Sequence, residues 1–153
     1  MASAIAESLA NLYTQDETAW LEAMAELVSR RDLAGLDLDN LREYLTDMAS
    51  RDRREVKNRL VILLAHLLKW EFQPGKRSRS WRTTMLTQRQ ELADLASRGV
   101  LRAHADEVLS EAYKNAVELA ASETGLPGNS FPVDCPYTIA QVFVIVLADD
   151  GVA

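Results

Sequence analysis

Two histidines, one cysteine and a knot of cations around two tryptophans are the residues here whose types could do chemistry. His66 stands in the apolar run LVILLAHLL, four residues before Trp70. A buried imidazole needs a hydrogen-bond partner and tends to stay neutral, because burying its charge unpaired is costly. The favoured reading is a neutral histidine bonded to a carbonyl, a carboxylate or a tyrosine from a facing helix. The sharper reading makes His66 a base or ligand. His104 is the only other histidine, HxxxH and HExxH spacings do not occur, and neither histidine has a Glu three residues before it, as di-metal helical bundles require. A metal site would need long-range convergence, and none is expected.

Cys135 lies in Asp-Cys-Pro-Tyr, where the neighbouring carboxylate disfavours the thiolate and no histidine is adjacent to activate it. With one cysteine no intrachain disulfide can form, which suits a reducing compartment. G-x-S-x-G, P-loop and dinucleotide fingerprints are also missing. The expectation therefore leans away from an enzyme, with no catalytic residue and no cofactor assigned.

The remaining chemistry is in 66-HLLKWEFQPGKRSRSW-81, where Lys69, Trp70, Lys76, Arg77, Arg79, Trp81 and, just beyond, Arg82 gather at a helix corner. Cations are welcome at the C-terminus of one helix and unwelcome at the N-terminus of the next, by about 0.3–1 kcal/mol each way. They gain little locally, so a partner is expected elsewhere. One candidate is the Glu107, Glu111, Glu118 face of the same chain. Another is an external phosphate or carboxylate held by free amides with Arg79 or Arg82. Tryptophans at helical spacing are usually core. The alternative is a hot spot in a protein interface or a stacking platform for single-stranded nucleic acid.

Charge sharpens the same region. The net charge is −6, yet residues 51–89 hold eleven Lys or Arg against Asp52, Glu55 and Glu71, a net of +8, and the remainder is −14. The preferred account is that this basic middle packs against acidic flanking helices; the other is a patch for an anionic partner. A pI near 4.9 counts against nucleic acid, which stays possible but not favoured.

The elements that position these residues read as helices. A chain of 153 residues suits one domain, 1–153, with 1–12 as an N-terminal extension. Thr14 with Glu17 reads as a capping box, followed by Trp20, Met24, Leu27 and Val28 at helical spacing to about Arg31. From about 38 to 72 the pattern fits one bent helix or two meeting near Ser50, and LVILLAHLL marks the central helix. Pro74-Gly75 stops it. Ser78 or Ser80 caps a helix carrying Trp81, Met85, Leu92 and Leu95 that ends at Gly99. Leu101, Val108, Leu109, Ala112, Ala116 and Leu119 stripe the last long helix, closed by Gly125. Residues 126–137 form an extended, proline-punctuated segment. In the tail, 138–153, Thr138 to Gln141 make a capping box for a short helix, preferred over a strand. The expected fold is all-α, an antiparallel bundle of about five helices.

No apolar run approaches the roughly 18–20 residues that span a bilayer, and MASAIAESLANLY lacks a basic n-region, so a cytoplasmic protein with no membrane partner is the default.

The blocks LYTQDETAWLEAMAEL, DLDNLREYLTDMASRDRREVKNRL, LLAHLLKWEFQPGKRSRSWR and AYKNAVELAASETGLPGNSFPVDCPYT resemble the bacterial family called domain of unknown function 29. The resemblance runs from about Leu12 to Thr138. It implies a bacterial, all-helical, cytoplasmic domain and carries no activity or catalytic residue with it. The ending VFVIVLADDGVA departs from the more acidic one associated with such proteins. The function expected is a non-enzymatic interaction domain for an unknown protein partner, a second copy included, working through the basic tryptophan corner. The alternatives are binding of nucleic acid or a phosphate anion through 51–89 and, least favoured, an enzyme using His66.

Overall fold

The computed structural model describes residues 2–144, and every regular element among them is helical. The order is α1 (Ala2–Gln15), α2 (Glu17–Ser29), α3 (Leu38–Phe72), a 3-10 turn (Pro74–Lys76), α4 (Arg79–Ala96), α5 (Gly99–Thr124), a second 3-10 turn (Gly128–Ser130) and α6 (Ile139–Val144). The protein is all-α. The last residues of the apolar tail, from 145 on, lie outside the described residues.

Residues 1–50 and 51–153 form two compact units. In the first, α1 occupies most of the stretch expected to be an extension, and its end moves the expected cap. Thr14 is inside α1 and donates its hydroxyl to the Asn11 carbonyl at 3.0 Å; Asp16 caps α2 instead, accepting from the Ala19 amide at 3.1 Å. Asp is at least as strong a cap as Thr, and here it occupies the single residue between the two helices. Trp20 is fully buried, with Tyr13 edge-on at 4.7 Å and Tyr44 at 5.9 Å. Its indole Nε1 donates to Asp37 Oδ2 at 3.1 Å, an oxygen that also accepts from Asn40 at 2.8 Å. Past Ser29, the Arg31 amide reaches the Val28 carbonyl and the Asp32 amide the Leu27 carbonyl, with Arg31 at φ 60°. That is a Schellman stop with arginine where glycine is usual.

Leu38–Phe72 is one helix. It holds no proline or glycine, and its charged middle supports itself through an Arg59–Glu55 pair one turn apart at 2.8 Å. In the second unit its residues Val56, Leu60, Leu63, Leu64, Leu67 and Leu68 are all at most 4% exposed, which makes it the central helix its sequence suggests. Around it, α4 contributes Met85, Leu92 and Ala96.

The face that α5 buries matches the expected stripe only in part. Ala112 and Ala116 of that stripe are shut in, together with Ala105, Ala120 and Tyr113, whereas Leu101, Val108, Leu109 and Leu119 are only partly buried. Large aliphatics dominate a hydrophobicity pattern, whereas small residues are what a tightly approached face needs. Gly125 closes α5 at φ 74°, its amide bonded to the Ala121 carbonyl. Gly99, also at positive φ, opens α5 rather than ending α4, which already stops at Ala96.

Residues 126–137 are laid over this unit. Phe131 is buried with its ring edge-on to Phe72 at 5.5 Å, and the Tyr113 hydroxyl donates to the Pro132 carbonyl at 2.6 Å. The capping box at Thr138 is complete in both directions: the Thr138 amide reaches Gln141 Oε1 at 2.9 Å and the Gln141 amide reaches Thr138 Oγ1 at 3.2 Å.

Candidate functional site

The corner between α3 and α4 is built by a proline stop. The Gln73 amide makes the last bond back to the Lys69 carbonyl; Pro74 has no amide to continue it and starts the 3-10 turn. Ser78 then caps α4, accepting from the Trp81 amide at 3.2 Å, so of the two candidate serines the first does the capping. This brings Arg77 back over the end of α3. Its Nε donates to the Trp70 carbonyl at 2.8 Å, one of the four acceptors a helix end leaves unpaired, and its guanidinium lies 4.9 Å from the Trp70 ring centroid. Arg82 approaches the same ring at 5.4 Å.

Arg77 thus gains locally, contrary to the expectation that these cations find little at home. Helix dipoles set that expectation, and they carry no sign of the chain folding back onto the carbonyl. Trp70 is 6% exposed and Trp81 half-buried. Lys69 is also 6% exposed, with its ammonium 4.8 Å from the Trp81 ring and ion-paired to Glu123. Lys76 and Arg79 are exposed, and among the described residues no carboxylate pairs with either.

Elsewhere the basic stretch meets acidic neighbours. Lys57 pairs with Glu111 at 2.7 Å, which holds that carboxyl below its ordinary range, and Arg59 reaches Glu91 at 3.7 Å as well as Glu55. Glu111 therefore serves Lys57 rather than the corner.

Beside the corner is a groove of about 450 Å³. Leu67, Trp70 and Pro136 give it apolar walls, with Glu71, Arg77, Tyr137 and Gln141 as its polar lining. The Tyr137 hydroxyl donates to Glu71 Oε2 at 2.7 Å. Burial, then that bond and charge, push the Tyr137 phenol well above its ordinary range, so it stays a donor. Cys135 donates to the Tyr137 carbonyl at 3.3 Å, and burial raises its thiol pKa, consistent with an inert cysteine. The groove thus presents apolar walls between a guanidinium and a carboxylate pinned by a phenol. Such a lining suits recognition of a side chain with both an apolar body and a polar end.

Glu71 and Tyr137 were not among the residues singled out by sequence. They are 66 positions apart, and their pairing depends on the 126–137 segment crossing the end of α3. The one available signal was the distinctiveness of the CPYT block.

His66 is half-buried. Its Nδ1 lies 2.9 Å from the Ile62 carbonyl one turn earlier, and burial holds its pKa below 6.5. The partner is a carbonyl of its own helix rather than of a facing one, and His66 is not part of the groove lining. His104, also half-buried, is on α5 and is not part of the groove lining either. Among the described residues, no three His, Cys, Asp or Glu side chains converge on a position for a metal ion, and no helix is long and apolar enough to cross a membrane.

A family model described as "Domain of unknown function DUF29" matches residues 12–145. The chain belongs to the DUF29 family. That span takes in the whole α3–α4 corner and the groove, so this site lies within the DUF29 region of the chain. No curated protein and no solved structure matches it.

Proposed function

We propose that this DUF29 protein is a non-enzymatic protein-interaction domain whose working surface is the basic corner of Lys76 and Arg79 with the adjoining Trp70–Tyr137 groove. The observation that carries this reading is the groove itself: apolar walls, fixed donors and a fixed acceptor sit beside two exposed cations. Aromatic and arginine anchors with a charged rim are what protein interfaces favour. Binding of a long polyanion has weaker support, since Lys57, Arg59 and Lys69 are already held by carboxylates. The partner would come from the host cytoplasm, in a bacterium if the resemblance extends to source.

The test is a charge reversal, Lys76→Glu with Arg79→Glu, at positions exposed enough to leave folding intact. Proteins recovered with the tagged full chain from its native host are compared between wild type and variant, alongside thermal unfolding. Loss of specific partners at unchanged stability supports the reading. An unchanged partner set defeats it.

A further inference from the structure

The first fifty residues carry ten Asp or Glu and three Arg, and bury only Trp20 and Met24 among their described hydrophobic side chains. They leave much apolar surface in water: Ile5 is 61% exposed, Val28 55%, Leu33 68%, Leu38 63% and Leu45 58%. Single exposed aliphatics are ordinary, but a cluster rimmed by polar groups marks a binding face. Two of these five, Ile5 and Leu38, share a concavity. Ile5 and Leu9 of α1, Leu27 of α2, and Leu36 and Leu38 beside them line a groove of about 660 Å³ within this unit. Its rim is acidic. Asp32 and Asp39 are exposed, and Asp37, although engaged with Trp20 and Asn40, adds a third negative charge.

We infer that this groove is a docking site for a basic amphipathic helix of another protein, one with leucine-like side chains at i, i+3, i+4 and i+7 and Lys or Arg along the flanks. The apolar floor takes the stripe and the three carboxylates take the flanking cations, the usual division of labour when a helix lies in a groove. An anionic lipid surface is disfavoured by the same rim. A second copy of this chain is disfavoured: two first units face to face would set acidic rim against acidic rim, and among the described residues of the other unit the large exposed aliphatics are Leu86, Val100, Val133 and Val144, scattered over four segments rather than set in a stripe. Ile5 and Leu9 precede residue 12, where the family match begins, so the groove includes residues outside that match. It shares no lining residue with the Trp70 groove and stands or falls without it.

The test uses the full chain and a synthetic peptide of about 14 residues, roughly four helical turns, made of Leu, Ala and Lys in that pattern. Isothermal titration is run against wild type, Ile5→Gln, Leu38→Gln and Asp39→Lys, with a control peptide of the same composition whose leucines are scattered. The three substituted side chains are exposed, and retention of helical circular dichroism verifies folding. The expected result is saturable one-to-one binding by wild type, weaker by about tenfold or more in each variant and for the scattered peptide. It should be unchanged when Lys76 and Arg79 are reversed. Absence of binding by wild type, equal binding of both peptides, equal binding by the variants, or a dimer of the free chain that Leu38→Gln dissolves would each overturn the inference.

Discussion

Arg77 and Trp70 are joined twice: the guanidinium nitrogen donates to the tryptophan's carbonyl at 2.8 Å while the same group lies 4.9 Å from its ring. One side chain therefore closes the end of α3 and covers the wall of the groove. Lysine has no planar fork to do both. Arg77→Lys and Arg77→Met are each expected to cost about 1 kcal/mol in urea unfolding, with lysine recovering little of the loss. Full recovery by lysine would show that charge alone matters there.

Lys69 and Glu123 form an unequal pair, the lysine side chain 7% exposed and the glutamate 41%. Removing the carboxylate strands a buried ammonium, whereas removing both charges does not. Glu123→Gln is expected to cost about 1–2 kcal/mol, discounted for the exposure of its side of the pair, and the double variant Lys69→Met with Glu123→Gln should be the more stable of the two. A double-mutant cycle in urea decides this, and a double variant less stable than Glu123→Gln would contradict it.

Burial, with smaller contributions from Cys135, Glu71 and Asp134, pushes the Tyr113 phenol up to about 12 from an ordinary 10.0. The folded chain holds that proton more tightly than the unfolded chain. The associated stability is whole below about pH 10 and is lost as pH rises from there to about 12. Tyr113→Phe should cost about 1 kcal/mol at neutral pH through loss of the bond to Pro132. The gap between wild type and variant should shrink across that alkaline window; a constant gap would count against it.

His66 has the opposite sign. Burial and the nearby Lys69 ammonium lower its pKa, while the Ile62 carbonyl and Glu123 work upward less strongly than burial works down. The neutral ring belongs to the fold, so the contribution is present above about pH 6.5 and is lost as pH falls below it. His66→Gln is expected to flatten the stability profile as pH falls below about 6.5. A variant as acid-sensitive as wild type would place the titration elsewhere.

Among the described residues, two helices end on a left-handed residue, and only one of them uses glycine. Gly125 has φ 74° with open space where a Cβ would sit, so Gly125→Ala should cost about 1 kcal/mol from backbone strain alone. Arg31 already bears that strain at φ 60°. Arg31→Gly should be neutral or slightly stabilising, the relief being offset by greater freedom of the unfolded chain. Thermal unfolding of the two variants gives the comparison.

Local grammar made much of this readable in advance. Pro74 stopping α3, a serine at 78 or 80 capping α4, Gly125 closing α5 and the reciprocal Thr138–Gln141 cap all depend on neighbours within a few residues. The corner residues were legible for the same reason. What escaped was set by contacts across distance. On the buried face of α5, Ala112 and Ala116 were read but Ala105, Ala120 and Tyr113 were not, since small residues carry a weak hydrophobic signal; and Tyr137 reaches Glu71 only because Phe131 and Tyr113 hold the 126–137 segment in place. The competition between Thr14 and Asp16 as caps was local too, but both are good caps, and the helical α1 settled it.

Trp20 sits fully enclosed between two tyrosine rings in the first unit, while the other two indoles belong to the second. Nature has thus placed a separate optical reporter in each half. With Trp70 and Trp81 replaced by phenylalanine, emission from Trp20, fed by excitation of Tyr13 and Tyr44, follows residues 1–50 alone. Comparing its melting curve with that of a Trp20→Phe chain shows directly whether the two halves come apart together or in turn.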